Sequence, residues 1–220
     1  MNFVVALTEK FKQNENPENI ADMERYMKNL FHFAGVKSVE RKTLLKATYQ
    51  EVGVPDITEL PTITEQLWQA EYRELHYCCQ ELLEKKKYFK EHNAIVLFKW
   101  MIETNSWWDT VDFIAAKLVG GYFKFHPEEE KEMMLSWNQS SNMWLVRTTL
   151  LYQLKYKQAT DFDFLKMLIL PHIESNEFFI QKAIGWALRE YAKTNSQPVL
   201  EFVKQTSLKP LSHREALKHF

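Results

Sequence analysis

Three stretches of this sequence combine residue types able to do chemistry. In Trp107-Trp108-Asp109-Thr110-Val111-Asp112, Trp108 and Asp112 are four residues apart and share one face of a helix. An indole face carries negative π-density and a carboxylate a full charge, so the pair makes a site for a transient cation. A helix start explains Asp109 better than Asp112, which is followed by Phe113, Ile114, Ala115 and Ala116 and is expected to be partly desolvated. Arg147 is the only charge in the run Met143 to Leu154. A buried charge needs a partner, either a carboxylate in a structural ion pair or a phosphate taken by the guanidinium fork. Lys182, Trp186, Arg189 and Lys193 recur at i, i+4, i+7 and i+11, a basic row with an indole in it. That row reads either as a phosphate-binding strip with an aromatic platform or as a surface Trp resting on a neighbouring helix.

Residues so spaced need helices to carry them. Ile180, Ala183, Ile184, Ala187, Leu188 and Tyr191 form the apolar stripe of a helix over 177–194, opposite the basic row. Similar stripes predict helices near 3–13, 18–32, 38–52, 62–88, 93–105, 107–123, 128–138, 142–156, 162–174, 197–206 and 212–219. Thr62 with Glu65 and Ser212 with Glu215 read as capping boxes, and Pro17, Pro127 and Pro198 suit first turns. Strand alternation is absent. Five glycines and seven prolines are too few for a barrel or sandwich, which turns every ~8–12 residues. The expected fold is all-α. Trp68, Trp108, Trp144 and Trp186 lie 40, 36 and 42 residues apart, and the helices pair at that pitch. This predicts a HEAT-like or armadillo-type solenoid with a concave binding face, built as one domain over 1–220.

Composition narrows the function classes. A 45% hydrophobic and 26% charged chain is not disordered. The net charge of −1 gives nucleic-acid binding no support by itself. The distribution does: residues 1–110 carry 14 basic and 17 acidic side chains, residues 140–220 carry 11 and 7, which places a polyanion partner towards the C-terminal half. No apolar run reaches the ~18 residues of a membrane span, and the N-terminal residues lack the pattern of a secretory signal. The adjacent Cys78 and Cys79 make neither a disulfide framework nor a zinc knuckle, and are expected in a core. These features predict a cytoplasmic protein with no membrane partner. Phosphate-loop, dinucleotide and zinc-protease motifs are absent and the seven histidines are scattered, so neither cofactor nor metal is expected.

Read in order, several segments resemble the AlkD family of DNA alkylation-repair glycosylases. They are Ala21 to Asn29, Ser106 to Asp112, Trp144 to Arg147, Glu177 to Thr194 and Leu211 to Ala216. The resemblance runs from about 20 to 219. It implies an all-helical solenoid whose concave face cups duplex DNA and whose members excise cationic N3- and N7-alkylated purines. On that resemblance Asp112 is the catalytic aspartate, Trp108 and Trp186 contact the sugar, Arg147 a phosphate, and Tyr26 the DNA from the N-terminal side. Lys28, Lys155, Lys182, Arg189, Lys193 and Arg214 are the further residues expected to bind DNA. Two positions depart from the family pattern: His213 stands where a second arginine is expected, and Thr148-Thr149 where small apolar residues are usual.

The chemistry suits so sparse a set. An alkylated purine is already cationic and leaves without protonation, so no general acid is required. Charge then develops on the deoxyribose, where a carboxylate stabilises it and orients water. The resemblance also implies action without an extrusion pocket. The expected enzyme is a monomeric, monofunctional hydrolase that leaves an abasic site. Two competing readings remain, a non-catalytic helical-repeat scaffold and a lesion binder with little turnover. A scaffold has no need for the set of Trp108, Asp112, Arg147 and Trp186.

Overall fold

Polar side chains and prolines start many of the helices. Asn2, Asn16, Asn142 and Asp161 each accept a backbone N–H of the helix that follows, and Pro17 and Pro210 occupy first turns. The computed structural model describes residues 2–220 and divides into two units, Met1–Tyr88 and Phe89–Phe220.

The first unit holds α1 (Phe3–Gln13), α2 (Pro17–Tyr26), α3 (Ser38–Val52), α4 (Leu60–Trp68) and α5 (Arg73–Lys85). Leu7, Phe11, Leu60, Leu67, Trp68 and Leu75 are fully buried in it. Two helices predicted from periodicity are cut short. The stripe over 18–32 ends at Tyr26 because Lys28 and Asn29 turn left-handed (φ 59° and 57°), with the Asn29 N–H closing on the Glu24 carbonyl. The stripe over 62–88 is two helices. Between them the Arg73 N–H donates to the His32 carbonyl (2.8 Å), and the buried Glu74 carboxylate accepts the N–H groups of Ala34 and Val36, both at 3.1 Å. No glycine or proline marks this break; long-range hydrogen bonds to residues 32–36 make it. Thr62 lies inside α4, and the capping box belongs to Asp56 and Glu59 of the preceding 3₁₀ turn. Cys78 and Cys79 are buried, and desolvation pushes both thiols up to about 12.

The second unit begins with α6 (Ala94–Glu103). A helix over 108–123 follows in three parts: α7 (Trp108–Phe113), a π-helical turn (Ile114–Val119) and α8 (Gly120–Phe123). After these come α9 (Glu130–Asn138), α10 (Met143–Leu151, continued by a 3₁₀ turn to Lys155), α11 (Phe162–Ile169), α12 (Phe178–Ala192), α13 (Ser196–Gln205) and α14 (Pro210–Ala216). The long α12 packs on α10, α13 and α14, and its stripe from Ile180 to Leu188 is buried as its spacing predicts. Gly120 and Gly185 mark close approaches. A Cβ at Gly120 would lie 2.3 Å from the Tyr152 carbonyl oxygen, and one at Gly185 2.3 Å from Cβ of Glu215.

The all-α fold is as expected; the described residues contain no strand, and His32 and Tyr72 form an isolated bridge. No helix is long and apolar enough to cross a membrane. The four spaced tryptophans do not mark a common register. Trp68 ends α4 fully buried, Trp108 and Trp144 stand in first turns, and Trp186 sits mid-helix.

Candidate active site

α7, α10 and α12 converge on Arg147. Its Nε donates to Asp112 Oδ1 (2.7 Å) and its Nη2 to Asp112 Oδ2 (2.8 Å), while Nη1 donates to the Phe179 carbonyl. The guanidinium also lies 5.7 Å from the Phe179 ring centre. Trp107, Trp144 and Phe179 pack with ring centres 5.0–5.6 Å apart. Of the two readings of Arg147, the structure has the ion pair: the fork expected to clamp a phosphate is engaged by Asp112. The Arg147 side chain is 5% exposed and that of Asp112 15%, so the carboxylate is the member that meets solvent. Burial pushes the Asp112 carboxyl above its ordinary value, and the hydrogen bonds and charge of Arg147 oppose that rise without cancelling it.

Asp112 and Trp186 line one open cavity of about 200 Å³, together with Phe113, Ala116, Lys117, Leu154, Lys155 and Glu190. Lys155 was expected to bind DNA; Lys117 and Glu190 were missed. The π-helical turn explains Lys117. Bonding from i to i+5 widens the turn and brings a residue five after Asp112 towards its side, which 3.6-residue periodicity does not anticipate. Trp108 is half-buried at the first position of α7, one turn before Asp112, but does not line this cavity. The structure therefore joins Asp112, Arg147 and Trp186 and leaves Trp108 at their margin.

The basic row on α12 divides. Trp186 faces the cavity, whereas Lys182 and Arg189 reach Glu215 of α14 at 2.9 and 3.1 Å, joined by Lys218 at 2.5 Å. Glu215 is no part of a capping box. Ser212 Oγ donates to the Gln181 carbonyl (3.0 Å), and the Glu215 side chain, 5% exposed, leaves the helix with its Cβ packed against Gly185. Hydrogen bonds from Lys218 and Lys182 hold its carboxyl down to about 2. Three cations around one anion leave a positive excess, with the exposed Arg214 and His213 on the same helix. Lys193 is exposed and pairs with Glu190 at 2.6 Å. Tyr26, 67% exposed, and Lys28 belong to the first unit, Tyr26 ending α2 and Lys28 in the left-handed turn after it. At the departures from the family pattern, the buried Thr148 and Thr149 hydroxyls bond to the Trp144 and Val146 carbonyls, both at 2.8 Å.

Comparison with known proteins gives a consistent answer. The family model described as "DNA alkylation repair enzyme" matches residues 7–220. No curated protein matches. A solved structure described as a "predicted DNA alkylation repair enzyme" from Enterococcus faecalis is 36% identical, with a TM-score of 0.86 over 94% of this chain and 96% of that one.

Proposed function

The chain belongs to the DNA alkylation repair enzyme family, and from that premise we propose that it is a monofunctional DNA glycosylase excising cationic N3- and N7-alkylated purines such as 3-methyladenine and 7-methylguanine from duplex DNA. One observation carries this reading: a carboxylate held by a buried arginine opens with an indole onto one cavity. Such an arrangement presents fixed negative charge where the sugar becomes an oxocarbenium ion. Its hydrogen bonds are already made, so little reorganisation accompanies the reaction.

In this mechanism the alkylated base leaves as a neutral group, taking the electrons of the N-glycosidic bond. Asp112 stabilises the cation and orients the water that attacks it. Trp186 adds the face of its ring, an interaction of ~0.5–2 kcal/mol, and Trp108 completes the sugar contacts as the resemblance implies. Arg147 is a positioning residue that locks the carboxylate rotamer; a DNA phosphate would share it with Asp112. Lys182, Arg189 and Arg214 track phosphates on a duplex, with Lys155 on the cavity wall, Lys193 paired to the wall residue Glu190, and Tyr26 and Lys28 contributing from the first unit. A cavity of about 200 Å³ falls below the ~300–1,000 Å³ of ordinary ligand pockets. That supports selection by leaving-group quality rather than by enclosure of an extruded base. The protein acts as a single-domain monomer over 1–220, in the cytoplasm, without cofactor.

The deciding experiment incubates pure protein with methylated duplex DNA and measures released bases. Release of 7-methylguanine, abolished by Asp112→Asn with duplex binding retained, is expected. Binding without release would leave a lesion binder, and neither would leave a scaffold. Efficient uracil release would overturn the leaving-group argument. Borohydride is expected to trap no protein–DNA adduct; an adduct lost in Lys117→Ala or Lys155→Ala would make the enzyme bifunctional.

A further inference from the structure

The histidines scattered in the sequence do not stay scattered in the fold. His92 precedes α6, while His126 caps and Glu129 ends the 3₁₀ turn that leads into α9. Their ligand atoms come within 4.8 Å of one another, and among the described residues this is the grouping of three able to hold a metal ion. His92 Nδ1 lies 3.3 Å from Glu129 Oε1. Two ligands about 2.0–2.1 Å from a tetrahedral zinc ion stand about 3.3 Å apart, so this edge is already at metal-binding length.

The surroundings are those of a built site. His126 Nε2 faces the Lys90 carbonyl oxygen at 3.1 Å. A carbonyl only accepts, so Nε2 carries the hydrogen and Nδ1 keeps a lone pair for an ion. That is the second-shell pattern of metal-bound histidine. The His126 ring stacks on Tyr122, centre to centre 4.3 Å, which fixes its plane. The Tyr122 hydroxyl lies 2.7 Å from Glu129 Oε2 and 2.9 Å from the His92 carbonyl oxygen, so it orients the carboxylate and leaves Oε1 towards His92. Exposure of the His92 side chain, at 74%, gives an ion access.

We infer that His92, His126 and Glu129 form a site for a borderline divalent transition-metal ion of the zinc class, with at least one coordination position open to water. Imidazole and carboxylate suit such an ion better than calcium or magnesium, which take oxygen. Once bound, it ties the segment before α6 to the turn before α9.

The test uses the full chain stripped with a chelator, in an Asp112→Asn background so that it stands apart from base excision. Zinc chloride is titrated by calorimetry and cobalt(II) chloride by visible absorption. One equivalent is expected to bind saturably, and cobalt to show the intense d–d bands of low coordination. His92→Ala, at an exposed ring, is expected to weaken zinc binding about 100-fold, and Tyr122→Phe about 10-fold, within the range for outer-shell partners. No saturable binding of either ion, or affinity unchanged in both His92→Ala and Glu129→Gln, would overturn the site and leave a histidine–carboxylate ion pair.

Discussion

Two ion clusters in the second unit are built with opposite burial. At Arg147–Asp112 the cation is the hidden member, 5% exposed, and the carboxylate faces the cavity. At Glu215 the carboxylate is hidden, also 5% exposed, and Lys182, Arg189 and Lys218 reach outward at 36%, 26% and 48%. The sign that each cluster offers to a ligand is the sign of its exposed member. The first offers an anion, suited to a cationic sugar; the second offers cations, suited to phosphates. Their carboxyls shift accordingly, Asp112 upward through desolvation and Glu215 down to about 2 through the hydrogen bonds of Lys218 and Lys182.

The strongest break in this contrast is Asp112→Asn. Excision of 7-methylguanine is expected to fall about 10²–10³-fold or more, the range for one lost electrostatic contact, while duplex affinity stays within about threefold. Single-turnover release and a binding titration check both halves. Arg147→Ala leaves a desolvated carboxylate unpaired and is expected to cost about 3–5 kcal/mol of stability, read by chemical denaturation. Arg147→Lys, which keeps charge but not the fork, should recover part of the stability and little of the activity. At the other cluster, Lys182→Ala should weaken duplex binding and lower the salt slope by about one, with single-turnover excision at saturating protein unchanged.

The acid profile sharpens the same contrast. In the proposed mechanism excision needs ionised Asp112, so the rate should fall as pH drops through a value above its ordinary 3.8. Because that folded value is raised, ionising Asp112 costs native stability above it, a cost that disappears below 3.8. Glu215 has the reverse sign. Its contribution is present above the ordinary 4.5 and is lost only as pH falls towards about 2. The smallest effect on activity is expected from Glu81→Gln in the first unit. There Arg41 holds Glu81 through two 2.9 Å hydrogen bonds, with 8% and 24% of the side chains exposed, much like the candidate site. Glu81→Gln should lower stability and leave excision unchanged, since neither member of the pair lines the Asp112 cavity.

Much of the candidate site was legible because its signals are local. A lone arginine in an apolar helix announces a buried partner, and the i, i+4 spacing set Trp108 and Asp112 on one face. What failed was long-range. The partner of Arg147 is Asp112, 35 residues away, and no local pattern names it. Glu215, three residues after a serine, looked like a cap and instead gathers three cations. The helix break after Trp68 rests on Glu74 and His32, not on a local breaker.

By itself the sequence determined that the chain is helical, which faces such as the Ile180 to Leu188 stripe are buried, and which residue types could meet a cationic intermediate, because hydrophobic periodicity acts over a few residues. Tertiary structure alone decided which charge hides and which shows, that Lys117 within the π-helical turn reaches the Asp112 cavity, and that His92 meets His126 and Glu129. Burial and electrostatic pairing depend on elements distant in the chain coming within a few ångströms, and no spacing along the chain specifies that meeting.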